Sequence, residues 1–176
     1  ACEVDVAQGM RLLVKRLENL GHLSFGLLAR DGKTVYERDL LQSYSHQMAR
    51  EGLVDKGVQF VSEHPNIQDT LKDILAQTSR PDVLILASAT FGPDVYDACE
   101  GMGIKIPEDL SIIAFGKGLH IIKPALASVQ VDPQDYGTRC LEKLAGLIEN
   151  PETTPTRECF PMRFVSGGSI TGANEP

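Results

Sequence analysis

The side chains able to do chemistry are thinly spread along this sequence. Four histidines, His22, His46, His64 and His120, each stand alone in a different segment. Four cysteines, Cys2, Cys99, Cys140 and Cys159, form no Cys-x-x-Cys pair and keep no zinc-ligand spacing to a histidine. We therefore read the histidines as surface or capping residues and the thiols as reduced and structural, with no metal site and no disulfide scaffold. No Gly-x-Ser-x-Gly elbow, Gly-Lys-Ser/Thr phosphate loop or His-Glu-x-x-His is present. Gly116-Lys117-Gly118 looks like the start of a dinucleotide loop but lacks the third glycine and a following helix. Ser166-Gly167-Gly168-Ser169 has the composition of an anion nest, although near a chain end such a run reads more simply as a flexible exit. The expectation is a binder with no catalytic residues and no cofactor, not an enzyme.

The elements that would position a ligand are legible from apolar spacing. Met10, Leu13, Val14, Leu17 and Leu20 recur at helical intervals, with Gly21 behind them as a left-handed stop, so a first helix is expected from Val6 to Leu20. The run from Leu23 to Ala29 is nearly continuous in apolar residues, as in strands buried on both faces of a parallel sheet. The same reasoning gives helices over Tyr36 to Glu51, from Pro65 through Leu75, and over Asp94 to Met102. It gives strands over Gly57 to Val61, Asp82 to Ala87, Leu110 to Phe115 and Ser128 to Val131. A last helix is expected from Pro133 to Glu149, with Cys140, Leu141, Leu144 and Ile148 on one side, then a strand from Cys159 to Val165. Strand and helix alternate throughout, which predicts an α/β fold with a mostly parallel sheet and helices on both faces.

Composition bounds the function. In 176 residues the chain carries 24 acidic and 17 basic side chains, a net charge of −7, which argues against this region gripping a phosphate backbone. No apolar run approaches the roughly 20 residues that span a bilayer, and no signal peptide is visible, so no membrane partner is expected. Ala1 in place of a starting methionine and the polar end from Thr171 to Pro176 lead us to expect a processed chain or a piece of a longer one. In open α/β sheets ligands lie beyond the carboxyl ends of the strands. The loops to inspect are thus Arg30 to Arg38, Ser62 to Asn66, Ser88 to Phe91 and Gly116 to His120, which hold Arg30, Lys33, Thr34, Tyr36, Arg38, Ser88, Phe91, Lys117 and His120.

Several segments match one pattern in order: Val4-Asp5-Val6 followed by Leu17-Glu18-Asn19-Leu20-Gly21-His22; Ser43-Tyr44 leading to Gly52-Leu53; Arg80-Pro81-Asp82; Gly103-Ile104-Lys105-Ile106-Pro107-Glu108-Asp109-Leu110-Ser111 running into Phe115; Pro124 to Val129; and Asp135-Tyr136-Gly137. The chain resembles the effector-binding region of LacI/GalR-type transcription regulators, from Val4 to about Gly172. The resemblance implies a periplasmic-binding-protein-like fold with an incomplete N-terminal lobe. Residues 1–22 would be a helix of the N-terminal subdomain, 23–123 the C-terminal subdomain, 124–157 a return segment to the N-terminal one, and 158–176 a final strand and tail on the C-terminal one. Helix-turn-helix, hinge and first strands would precede Ala1. A half-built lobe would expose apolar surface on the helices Val6 to Leu20 and Pro133 to Glu149, to be covered by a partner copy or partly disordered.

The resemblance also implies a cytoplasmic homodimer that senses a small-molecule effector and controls operator DNA through the absent domain, acting as a repressor. The alternative is a periplasmic-type solute-binding protein for a sugar or related small molecule. Sugar-binding members of the family place an arginine four residues before the aromatic of the Gly-Phe/Tyr pair, an Asn-Asp after the Arg-Pro strand and an acid after the later Gly-Phe/Tyr pair. Here those positions hold Leu40, Ser88-Ala89 and Gly116. The usual clamp on sugar hydroxyls is therefore missing, which leaves two readings: an anionic effector drawn by Arg38 and Lys117 and bound among Thr34, Tyr36, Arg38, Ser88, Phe91 and Lys117, or a cleft that has lost ligand control in a domain that mainly dimerises. The first is the expectation.

Overall fold

Three apolar runs form the middle of the molecule. Phe25 to Ala29, Val83 to Leu86 and Ile112 to Phe115 are buried throughout, as strands covered on both faces must be. The computed structural model describes residues 1–30, 34–61, 67–76, 80–118, 121–152, 154 and 156–172. Its strands are β1 (Cys2–Val4), β2 (Ser24–Arg30), β3 (Val54–Val61), β4 (Val83–Leu86), β5 (Ser111–Phe115), β6 (Ala127–Gln130), β7 (Glu158–Phe160) and β8 (Arg163–Val165). Its helices are α1 (Val6–Asn19), α2 (Val35–Glu51), α3 (Ile67–Leu75), α4 (Gly92–Gly101, preceded by a 3-10 turn over Ala89–Phe91) and α5 (Pro133–Glu149).

Six strands run in the order β3-β2-β4-β5-β6-β8, parallel except for β8, which lies antiparallel to β6. The expected mostly parallel α/β sheet is present. The chain leaves β2 towards β3 on one side and then crosses to β4 on the other, so the strand order reverses between β2 and β4. Right-handed crossovers then put α2 and α3–α4 on opposite faces, and α1 joins α2.

Helix α1 shows why the sheet is closed on that side. Val6, Gly9, Met10, Leu13, Val14 and Leu17 are all buried, and full burial of each large aliphatic chain contributes roughly 1.5–3 kcal/mol. Asp5 caps its first turn, accepting from the Gln8 backbone N–H at 2.8 Å. The Gln8 amide in turn clamps Met162 by two hydrogen bonds, to its carbonyl at 3.2 Å and from its N–H at 2.8 Å. α1 packs on α2, β6 and β8. It therefore belongs to the body of the six-stranded sheet, not to an N-terminal subdomain as the sequence had led us to expect, and it presents no apolar face to solvent.

A second, two-stranded sheet pairs β1 with β7 in parallel. The single strand expected from Cys159 to Val165 is thus two short ones, split at Pro161-Met162, one in each sheet. α5 lies against this small pair and buries none of its residues fully. Tyr136, Cys140, Lys143 and Leu147 are half-buried, whereas Leu141, Leu144 and Ile148, the apolar side read from the sequence, are 69%, 54% and 69% exposed. The inward side is one residue out of phase with the apolar stripe because the helix docks through an aromatic ring and ion pairs. β3 begins at Val54, three residues before the expected start. Residues 62–66, where the third helix was expected to open, lie outside the described residues.

Two further readings change. His22, read as a surface or capping residue, is buried, with Nε2 2.7 Å from the Thr171 carbonyl and 3.5 Å from Ser111 Oγ. Ser169 is neither part of a nest nor of a flexible exit. Its fully buried hydroxyl accepts from Ala127 N–H at 2.8 Å and donates to the Ile112 carbonyl at 2.6 Å, stitching the C-terminal segment to β5 and β6. A Cβ on Gly167 would meet the Ala125 carbonyl at 2.4 Å, so only glycine lets that segment approach.

Candidate functional site

The reversal of strand order between β2 and β4 creates the crevice that open α/β sheets use for ligands. A cavity of about 340 Å³ occupies it. β2 delivers Arg30 at its last position, β4 leads into Ala87 and Ser88, and β5 ends in Phe115 and Gly116. The first turn of α2 adds Thr34, Tyr36 and Glu37, and the turn before α4 adds Phe91.

Each polar group has a local reason for its place. Thr34 and Glu37 form a reciprocal capping box: the Thr34 hydroxyl oxygen accepts from Glu37 N–H at 3.1 Å, and Glu37 Oε2 accepts from Thr34 N–H at 3.0 Å. Glu37 is thereby committed to the helix start. Ser88 caps the 3-10 turn, its Oγ accepting from Thr90 N–H at 3.3 Å. Burial pushes the Tyr36 hydroxyl up to about 12, so it stays protonated at neutral pH and offers both a donor and an acceptor. The Arg30 guanidinium sits 5.4 Å from the centroid of the Phe91 ring, a cation–π pair that presents a positive charge over an aromatic floor. Gly116 has φ +96°, with open space where a Cβ would stand.

Of the residues singled out from sequence, Thr34, Tyr36, Ser88 and Phe91 come together in this cavity. Arg38 and Lys117 do not line it; both are exposed, Arg38 on α2 and Lys117 beyond β5. Arg38 stands on a different face of α2 from the buried Leu40 and Tyr44, and Gly116 turns the chain away after β5. Lys33, His120 and the loop 62–66 lie outside the described residues. Arg30, named among the loop residues, lies outside the set expected to bind; Glu37, Ala87, Phe115 and Gly116 lie outside that set too, although the carboxyl ends of β2, β4 and β5 already pointed to them. Leu40, at the position of the family's arginine, is fully buried in the core.

A larger cavity, about 400 Å³, lies between β1, the start of α1 and α2, walled by Glu3, Asp5, Asp39, Arg11, Arg50 and Arg157 among others. Its charges mostly answer one another or the backbone: Glu3 pairs with Arg157, Arg50 with Glu51, and Asp5 caps α1. Position and chemistry favour the smaller cavity at the strand ends. Among the described residues, no group of three or more His, Cys, Asp or Glu could hold a metal ion, and no helix is long and apolar enough to cross a membrane.

Comparison with known proteins agrees with this fold. The chain is 25% identical over 150 residues to the ribose operon repressor of Haemophilus influenzae, covering 82% of this chain and 45% of that protein. Among solved structures it is similar to a dimeric Lac repressor, with a TM-score of 0.85 at 16% identity over 97% of this chain and 64% of the other. It is also similar to the transcriptional regulator CelR in complex with cellobiose, with a TM-score of 0.82 at 19% identity over 96% of this chain and 53% of the other. At those identities the structural likeness establishes the fold. The chain spans about half the length of the curated relatives it matches. These relatives are transcription regulators, in keeping with the LacI/GalR-type resemblance. Residues 14–170 match the model of the periplasmic binding protein-like domain, and the chain belongs to that family.

Proposed function

We propose that this chain is the effector-sensing part of a LacI/GalR-type transcription regulator, whose operator is read by a separate helix-turn-helix domain. A small polar ligand at the carboxyl ends of β2, β4 and β5 favours one arrangement of the two subdomains over another, and that shift repositions the DNA-binding heads. The regulatory names of its relatives and the dimeric Lac repressor among its structural neighbours support a cytoplasmic homodimeric regulator over an enzyme.

The observation that carries the ligand class is the Arg30–Phe91 pair. A charge stacked on a ring at the crevice, with a fully buried leucine at the family's arginine position and glycine at its acid position, suits an acidic ligand with a ring or chain of hydroxyls, such as a sugar phosphate or sugar acid. The attraction expected of Arg38 and Lys117 passes to Arg30. Matched neutral and acidic ligands, titrated calorimetrically into the full-length protein, test this. A hydrogen bond to a charged group is worth about 1.5–3 kcal/mol, so the acidic member of each pair should bind about tenfold to a hundredfold tighter, and Arg30→Ala should erase that preference. Equal binding of neutral sugars with or without Arg30 would overturn it.

A further inference from the structure

Helix α5 meets the rest of the chain through one stripe. Tyr136, Arg139, Cys140 and Lys143 are three or four residues apart and share a helix face. The Tyr136 ring stands edge-on to Phe160 with centroids 4.8 Å apart. Lys143 donates to Glu158 Oε2 at 3.2 Å, and Arg139 binds Glu158 Oε1. The parallel register puts Cys2 beside Glu158 and Glu3 beside Cys159. Side chains alternate across a strand, so Cys2 shares with Glu158 and Phe160 the face turned to α5. Cys159 shares the face of Glu3, which opens into the larger cavity. Cys140, between the Tyr136 and Lys143 contacts, is thus carried over Cys2, whose thiol is close enough to perturb its own. β1 is fixed where it must be for this: Glu158 N–H donates to the Ala1 carbonyl and Asp5 N–H to that of Phe160, both at 2.8 Å.

We propose that Cys2 and Cys140 are a redox pair that closes to an intramolecular disulfide, stapling α5 to β1 when the protein meets a peroxide. Both thiols are free and half-buried, whereas Cys99 is buried and Cys159 is exposed on the other face. One thiol sulfur attacks a peroxide oxygen, the O–O bond breaks, and a sulfenic acid and one water result. The second sulfur attacks the sulfenic sulfur, the S–O bond breaks, and a second water leaves. Two thiols lose two protons and two electrons, and one peroxide becomes two waters. Loss of solvation and then the neighbouring Cys2 thiol push the Cys140 thiol up, so closure follows from proximity and not from an activated thiolate. β1 passes through Asp5 alone into α1, so the bridge ties α5 to the strand that feeds the body of the sheet.

The test treats the full-length protein with hydrogen peroxide, blocks the remaining thiols and maps the peptides. The expected product has lost two hydrogens, contains one cross-linked pair joining Cys2 and Cys140, and reverts with dithiothreitol. Cys2→Ser and Cys140→Ser abolish it, and Cys159→Ser leaves it intact. The oxidised wild type should melt at a higher temperature than the reduced one, with no such difference in Cys2→Ser. Sulfinic acids at Cys2 and Cys140, a bridge that uses Cys159, a bridge between two chains, or unchanged melting of the bridged form would each overturn the proposal.

Discussion

Helices α1 and α5 both start after an aspartate cap and both carry leucines at helical spacing, yet they end in opposite environments. α1 buries its whole apolar stripe between α2 and the sheet, whereas α5 leaves Leu141, Leu144 and Ile148 in solvent and docks by Tyr136, Arg139, Cys140 and Lys143. The contrast teaches that amphipathic spacing tells which side of a helix is apolar, not whether this chain supplies the surface that side needs. α1 has the six-stranded sheet beneath it. α5 has three-residue strands on either side of one ladder, too narrow to cover a second stripe.

The largest expected effect separates the two helices by depth. Leu13 is fully buried, so Leu13→Ala removes its transfer energy and leaves a cavity, at a cost of about 2–5 kcal/mol in denaturant unfolding. Leu144→Ala on α5, at a residue 54% exposed, should change stability by no more than about 0.5 kcal/mol in this chain. A loss at Leu144 comparable to that at Leu13 would show the outer stripe of α5 to be covered in solution, and the comparison would collapse into one of two buried helices.

Glycines sharpen the contrast by reversing its sign. A Cβ on Gly9 of α1 would sit 2.5 Å from Met162 Sδ, and crowding of that kind costs about 1–3 kcal/mol. A Cβ on Gly146 of α5 meets nothing within 4 Å. Gly146→Ala should therefore stabilise by roughly 0.5–1 kcal/mol through helix propensity alone, and Gly9→Ala should destabilise. Melting curves of the two variants should move in opposite directions.

The same contrast explains what the sequence made legible. Met10, Leu13, Val14 and Leu17 predicted their helix and its buried face because a wide sheet satisfied the pattern, and the positive-φ glycines Gly21, Gly52 and Gly103 stand where helix stops were expected. The spacing on α5 marked its apolar side but not its docking side, because the docking contacts, a ring pair and a carboxylate shared by Arg139 and Lys143, leave no apolar periodicity. Pro161 broke the expected last strand because its two halves serve different sheets. At the crevice, the rule of carboxyl strand ends brought Thr34, Tyr36, Ser88 and Phe91 together. Arg38 and Lys117 fell outside because helical phase and a glycine turn, not residue type, decide where a long cation points. Arg30 was legible as a loop cation but not as the binding one, because its role depends on Phe91 being folded beneath it.

The smallest expected effect is electrostatic and belongs to α5. The Lys143 hydrogen bond to Glu158, with Arg139 beside it, holds the Glu158 carboxyl below the usual carboxylate range. A carboxyl depressed in the folded state contributes stability that is present above its unfolded value, about 4.3 for a glutamate, and is lost as pH falls through the depressed folded value. Glu158→Gln should therefore lower the stability of the chain slightly at neutral pH, and the difference from wild type should vanish at acid pH once the wild-type carboxyl is protonated. High salt should shrink it too, because the cations beside Glu158 are partly solvated. The Leu13→Ala loss on α1 involves no titrating group and should be the same at both pH values. A Glu158→Gln deficit that persisted undiminished into acid would mean that α5, like α1, is held mainly by packing, with its ion pairs incidental.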